Sequence, residues 1–179
     1  MMRPFANISC ITVSPSPGTD LLAGFARILH NDREKRRTVH RTIMQLFAAY
    51  LATLSVFIAL NLTWNGLVAM KLYRRELADL LVAQPRLLPA TLFYLIHAAG
   101  VLFLIVQSAL DGGGWHQVAI QGALFGLCTY ATYDLTNAAT LRRWPGNLMM
   151  LDIACGVIVT SIAAVAGFQA ARLIATGAA

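Results

Sequence analysis

Charged side chains are scarce in this sequence, and long stretches have none. Only 12% of the 179 residues are charged, while 58% are hydrophobic, whereas a typical soluble domain is about 25% charged. Residues 42–70, 87–110, 112–133 and 153–171 carry no formal charge when His is neutral. A bilayer core of about 30 Å is crossed by about 20 helical residues, so each stretch can span it alone or with a few flanking residues. The sequence therefore predicts an all-α integral membrane four-helix bundle.

Cysteines are also few, and no metal-ligand spacing exists among them. Cys10, Cys128 and Cys155 form no CxxC pair, so neither a disulfide framework nor a zinc site is indicated, and no metal or cofactor is predicted. The net charge of +6 does not favour nucleic acid, because seven of the 14 Lys and Arg residues precede residue 42 and most others lie in short loops. Basic residues that flank spans are typical of membrane proteins. The predicted partner is the lipid bilayer, with no nucleic acid.

The first 41 residues differ from the rest. Residues 14–18 are a helix-breaking Ser/Pro/Gly cluster, and residues 31–41 are strongly basic. The basic segment stands directly before the first apolar run, which is not the order of a secretory signal. We therefore expect residues 1–41 to be a flexible basic tail and residues 42–179 to be the bundle. Met44 is the alternative expected start, directly before the first span.

The predicted spans cover about residues 43–70, 88–109, 116–140 and 148–174. The first loop holds Lys71 and three Arg residues, the third holds Arg142 and Arg143, and the second holds no Lys or Arg. Cytoplasmic loops carry an excess of Lys and Arg, so this pattern places the first and third loops in the cytoplasm and both termini outside. The basic tail argues for the opposite orientation.

The third span carries a face of polar and small residues. Steps of three and four place them on one side of a helix: Gly122, Gly126, Thr129, Tyr130, Tyr133, Asp134, Asn137 and Thr140. The two glycines allow a close helix approach. A carboxylate at mid-bilayer costs at least about 2.5–3.5 kcal/mol, so Asp134 should face the bundle interior, a partner or a wet cavity. Two interpretations of Asp134 stay open. It could form a site for a proton, a cation or a ligand, or it could form a hydrogen bond to Tyr or Asn on a neighbouring helix.

The other spans add further candidates. Asn61 is expected to bond across helices, and a lone His such as His97 is more often a packing residue than a ligand. Asp152, near the start of span four, is expected to form an ion pair with Arg142 or Arg143 or to interact with the helix N-terminus. An antiparallel hairpin of spans three and four would bring Asp152 to the depth of Asp134. The ligand or ion candidates are Asp134, Asn137, Tyr130, Tyr133, Asn61, His97 and Asp152, and the helix-packing candidates are Gly122, Gly126, Gly156 and Gly167.

Several motifs resemble a known family. The run Tyr130-Ala-Thr-Tyr-Asp134-Leu-Thr-Asn137, followed by Trp144-Pro145, resembles the domain-of-unknown-function family 2177, which consists of small bacterial membrane proteins. The similarity covers about residues 44–175. It implies a four-span protein of the bacterial inner membrane that begins close to Met44, and it implies no activity.

Three functions are compatible with these residues. The favoured one is small-solute, ion or proton transport or ligand binding around Asp134, with Asn137, Tyr130 and Asn61 lining a polar cavity. The second is a structural or assembly subunit, including a homo-oligomer, that uses the small-residue faces for contact with another membrane protein. The third is a membrane-embedded enzyme on lipid-like substrates, with Asp134, Asp152 and His97 as acid–base groups.

Overall fold

Most of the described residues are helical, with no strand among them. A computed structural model describes residues 17–78, 81, 82, 84 and 86–177, with side chains for all of these except 17–29, 33, 68 and 69. The helices are α1 (Pro17–Trp64), α2 (Met70–Glu76), α3 (Leu87–Val101), α4 (Gln107–Leu110), α5 (Trp115–Thr140) and α6 (Gly146–Gly177). A π-helical turn, Asn65–Ala69, joins α1 to α2, and a second one, Leu102–Val106, joins α3 to α4.

The first helix begins earlier than the sequence predicts. Residues 17–41, expected to belong to a flexible tail, are helical here, and Pro17 occupies the first turn, where Pro is tolerated. Two exposed side-chain pairs four residues apart stabilise the helix in this segment. Arg36 Nε lies 3.2 Å from Asp32 Oδ2, and His30 Nδ1 lies 3.9 Å from Glu34 Oε2. The chain divides into two units, Met1–His40 and Arg41–Ala179. Residues 1–16 and Pro85 of the predicted first loop lie outside the described residues.

Three helical stretches are long and apolar enough to cross a membrane. They are His30–Leu67, Leu87–Leu110 and Gly146–Gly177. Their outward faces expose large apolar side chains such as Leu62, Ile96 and Ile158, as expected of surfaces in contact with lipid. The 26 residues of α5 are also long enough to span, but this helix is more polar than the other three and is not among these stretches. The fold is that of an all-α membrane protein, and the count of four spans stays a prediction.

The α5 and α6 helices form a closely packed antiparallel pair. Gly122 of α5 lies opposite Ala164, Gly126 lies opposite Gly156 and Thr160, and the ring of Tyr130 lies over Gly156. A Cβ atom on Gly126 would stand 2.4 Å from the Gly156 carbonyl oxygen, and one on Gly156 would stand 2.1 Å from the Tyr130 ring. We call this contact the glycine seam.

The fourth glycine of the predicted packing set lies elsewhere. A Cβ atom on Gly167 would stand 2.0 Å from the Thr53 hydroxyl oxygen and 2.9 Å from the Ala49 carbonyl oxygen, both on α1. Gly167 therefore belongs to the α6–α1 contact and lies outside the glycine seam.

The π turn between α1 and α2 changes which residues share a face. In an uninterrupted α-helix, each residue turns about 100°, so Tyr73 would lie about 120° around the axis from Asn61. A single π turn takes up one extra residue, and this reduces the angle to about 20° by the same helical geometry. Tyr73 and Asn61 accordingly face the same side of the bundle, and both line the cavity described next.

Candidate ligand-binding cavity

A cavity of about 520 Å³ lies in the half of the bundle that is nearest to the loops after α2 and α5. Residues of α1, α2, α3, α5 and α6, together with the first π turn, form its walls. They are Asn61, Trp64, Asn65, Tyr73, Phe93, Tyr94, Thr129, Tyr130, Thr132, Tyr133 and Asp152. Four of the predicted candidates therefore meet in one place: Asn61, Tyr130, Tyr133 and Asp152.

Asp152 provides the carboxylate of the cavity wall. The side chain is buried, and its Oδ2 accepts a hydrogen bond of 3.1 Å from the Tyr73 hydroxyl. Of the two predicted roles, the ion pair is not formed, because neither Arg142 nor Arg143, both exposed and both described, pairs with Asp152. The interaction with the helix N-terminus stays a prediction. The buried indole nitrogen of Trp64 lies close to the same carboxylate.

Tyr73 lies beyond the apolar span of the first helix, and its surroundings shift the pKa of its phenol. Burial of the ring raises the pKa of Tyr73, and the charge of Asp152 raises it further, followed by smaller effects of Tyr133 and Asp134. The phenol therefore stays protonated at physiological pH and remains a donor to Asp152. Both acids of the α5–α6 pair lie within electrostatic reach of this one ring.

Asn61 and Tyr130 connect two walls of the cavity. The Tyr130 hydroxyl donates to Asn61 Oδ1 at 3.0 Å, and Asn61 Nδ2 donates to the Phe57 carbonyl at 3.0 Å. Because Asn61 uses both amide atoms in this way, α1 and α5 are held at a fixed separation beside the cavity. The opposite side of the Tyr130 ring lies on Gly156 in the glycine seam.

Asp134 lies close to the cavity but does not line it. Its side chain is fully buried, and its Oδ1 accepts a hydrogen bond of 3.1 Å from Trp144 Nε1. Its Oδ2 has no hydrogen-bond partner. The Trp144 ring also meets Tyr133 edge-on at 5.9 Å, so this indole covers Asp134. Asn137 is half-buried and likewise lies outside the cavity wall. The polar cavity predicted around Asp134 and Asn137 is instead lined by Asp152.

His97 is a packing residue in this arrangement. Its Nε2 lies 3.1 Å from the Thr160 hydroxyl, and its ring stacks on Phe57 at 4.1 Å. The ring is buried and outside the cavity wall. Thr160 stands eight residues beyond Asp152, which is about 12 Å of helical rise. His97 is therefore engaged at another depth of the bundle from the cavity carboxylate.

Several residues at the site are absent from the predicted set, among them the two that donate to its acids, Tyr73 and Trp144. Both stand outside the apolar spans, where sequence reasoning expects interfacial anchors. Each has an aromatic ring with one polar donor, and each donates to a carboxylate of the α5–α6 pair. An aromatic donor directly after a span that contains a buried acid is the signal that could have found Trp144. No comparable signal exists for Tyr73, because its position depends on the π turn.

The wall of the cavity consists mainly of aromatic side chains and carries one carboxylate. Among the described residues, no group of three or more His, Cys, Asp and Glu side chains could hold a metal ion. The lining residues of the described chain include one carboxylate and no Lys, Arg or His. The cavity suits a small molecule with few polar contacts better than a bound metal.

The helices, their lipid-facing surfaces and the buried polar groups define an all-α membrane protein. Residues 46–169 match the family model described as "Predicted membrane protein (DUF2177)", and the chain belongs to this family. No curated protein and no solved structure matches the chain. The family resemblance noted from the sequence is confirmed over these residues.

Proposed function

We propose that the protein binds a small molecule in the cavity between α1, α2, α3, α5 and α6. The observation that supports this proposal is a space of about 520 Å³ with the buried Asp152 in its wall. Ligand pockets are typically clefts of about 300–1,000 Å³ that combine apolar walls with a few converging polar groups. Aromatic rings, one carboxylate and two Asn side chains form such a combination here.

The cost of the buried polar groups supports the same proposal. Ionisable and polar side chains inside a membrane bundle are expensive and tend to mark ligand or ion pathways. Asn61 and Tyr130 satisfy each other, whereas the buried Asp152 lines the cavity with no cationic partner among the described residues. A polar ligand or water in the cavity would supply a further contact.

The assembly function has less support. It required small-residue faces that are free to contact another protein, but Gly122, Gly126 and Gly156 are covered within the chain by the glycine seam. The enzyme function required His97 near the acids, and His97 is engaged with Thr160 and Phe57 instead. Ligand binding requires only the polar and aromatic side chains that line the cavity, and it requires no second protein.

The proposal includes a membrane topology. We propose that α5 is a fourth span, that the membrane is the bacterial inner membrane, and that both termini lie outside, so that the cavity occupies the cytoplasmic half. The basic residues of the loops after α2 and α5 support this orientation. Alkaline phosphatase fused at Gly113 should then be active, and the same fusion after Arg143 should be inactive. The reverse pattern would contradict the orientation.

Filling the mouth of the cavity tests ligand binding. Thr132 and Thr136 are exposed on α5, one turn apart, and each hydroxyl donates to the carbonyl four residues earlier at 2.6 Å. Thr132 lines the cavity and Thr136 does not. We expect Thr132→Trp to abolish ligand binding and Thr136→Trp, the matched control, to preserve it.

The binding measurement uses three solutes of one shape and different charge. Choline is cationic, 3,3-dimethylbutan-1-ol is its neutral isostere, and 3,3-dimethylbutanoate is an anion of similar size. Thermal unfolding is followed in nanodiscs at constant ionic strength. We expect at least one solute to raise the unfolding temperature of the native protein and of Thr136→Trp, but not of Thr132→Trp. The absence of any stabilisation, or equal stabilisation of Thr132→Trp, would contradict the proposed function.

A further inference from the structure

We propose that the ligand of this cavity is an organic cation, such as a quaternary or tertiary ammonium compound. This inference rests on the proposed function and adds the chemical class of the ligand. It depends on two features of the wall, its aromatic rings and its charge.

Six of the lining residues are aromatic. They are Trp64, Tyr73, Phe93, Tyr94, Tyr130 and Tyr133. Phe93 contacts two of the others, with ring centroids 5.4 Å from Tyr94 and 6.4 Å from Tyr130. Aromatic faces attract cations through their quadrupole, and several rings around one space are the usual receptor for quaternary ammonium groups. An apolar ligand would gain as much from Leu or Ile walls, so it would not account for this choice of side chains.

The formal charge on the described lining residues is negative. Asp152 is the carboxylate of the wall, and Asp134, outside the wall, is bonded to Trp144. No cationic side chain of the described chain pairs with either acid. A buried carboxylate without a positive partner is costly, and the hydrogen bond from Tyr73 together with the nearby Trp64 indole offsets this cost in part. A ligand cation would supply the missing positive charge.

The same wall is poorly suited to an inorganic cation. Ca²⁺ requires six to eight oxygen ligands, and Mg²⁺ requires a near-ideal octahedron. Asp152 is the only carboxylate among the described lining residues, and the Asn61 amide is already bonded to Tyr130 and Phe57. The volume of about 520 Å³ also exceeds what a single ion needs. Size and chemistry together favour a bulky, weakly hydrated cation.

The test compares choline with its neutral isostere on variants of the cavity. Isothermal titration calorimetry in nanodiscs should show that choline binds the native protein at least about tenfold more tightly than 3,3-dimethylbutan-1-ol, since tenfold corresponds to about 1.4 kcal/mol. Asp152→Asn keeps the shape and an acceptor for Tyr73, and it should remove this preference. Asp134→Asn is the matched control, because it removes an acid that does not touch the cavity, and it should retain most of the preference.

A second variant addresses the aromatic wall without changing the charge. Phe93 is partly exposed at the edge of the cavity, so Phe93→Leu keeps an apolar surface and should fold. We expect it to weaken choline binding several-fold and to leave the binding of the neutral isostere unchanged. An equal loss for both solutes would contradict the cation–π contribution.

The outcomes separate this inference from the proposed function. If the neutral or anionic solute binds as well as choline and Thr132→Trp abolishes that binding, the cavity is a ligand site but the ligand is not a cation. If NaCl at the same concentration reproduces the choline effect, the site prefers an inorganic cation and the inference fails. If no solute binds, the proposed function and the inference fail together.

Discussion

The two sides of Tyr130 differ in how space is used. On one side, the glycine seam leaves no room for a methyl group, since a Cβ atom on Gly156 would stand 2.1 Å from the ring. On the other side, the hydroxyl donates to Asn61 at the wall of a cavity of about 520 Å³. Tight packing on α6 thus fixes the position of a side chain that borders an open space. The glycine seam is therefore the closely packed part of the bundle, and the cavity is the part whose polar and aromatic groups are open to a ligand.

The glycine seam should be the most sensitive part of the molecule. A mid-helix Gly→Ala change is ordinarily stabilising, because Gly costs about 0.5–1 kcal/mol relative to Ala. At Gly156 the added methyl group meets the Tyr130 ring, and we expect Gly156→Ala to lower the free energy of unfolding by about 3 kcal/mol, the upper end for overpacked sites. The measurement is reversible unfolding in mixed micelles with increasing sodium dodecyl sulfate, followed by circular dichroism.

Gly66 offers the matched control for this prediction. It lies in the first π turn, and a Cβ atom there meets nothing within 4 Å. We expect Gly66→Ala to be neutral or to stabilise the protein by up to about 1 kcal/mol. Equal effects of the two substitutions would show that the seam is not the rigid region.

The link between the seam and the cavity should contribute less. Tyr130→Phe keeps the ring on Gly156 but removes the hydrogen bond to Asn61. We expect a loss of about 1 kcal/mol in the same unfolding assay, because hydrogen bonds between helices in membranes average about 0.6 kcal/mol and reach about 1.7. Tyr50→Phe, which removes an exposed 3.3 Å bond to the Leu95 carbonyl, is the control and should change stability by less than this. A larger loss for Tyr50→Phe would contradict the role given to Asn61.

The sequence predicts the helical membrane fold because runs without charge exceed the length of a bilayer span. It also brings Asn61, Tyr130, Tyr133 and Asp152 into one candidate set, since helical periodicity alone places polar residues on inward faces. It does not separate the roles of the two acids. Trp144 folds back over Asp134, whereas Tyr73 reaches Asp152 from a neighbouring helix. Both contacts depend on loop paths and on a π turn, and neither of these follows from periodicity.

The early start of α1 has a similar explanation. The tail prediction rested on a Ser/Pro/Gly cluster and on basic composition. Pro17 lies at the helix start, where proline does not interrupt hydrogen bonding, and no proline follows until Pro85. Basic composition alone therefore does not distinguish a helix from a flexible segment.

The π turn at Asn65–Ala69 makes the cavity depend on residue number as well as residue type. Removal of any one residue from this turn would restore ordinary α-helical winding and leave Tyr73 about 20° from Asn61, because eleven α-helical residues turn through the same angle. A second deletion would have no π turn to absorb it and would rotate α2 by about 100°, so that Tyr73 would point away from Asp152 although every side chain of the cavity would still be encoded. Two chains with the same cavity residues could therefore differ in function through the number of residues between Asn61 and Tyr73.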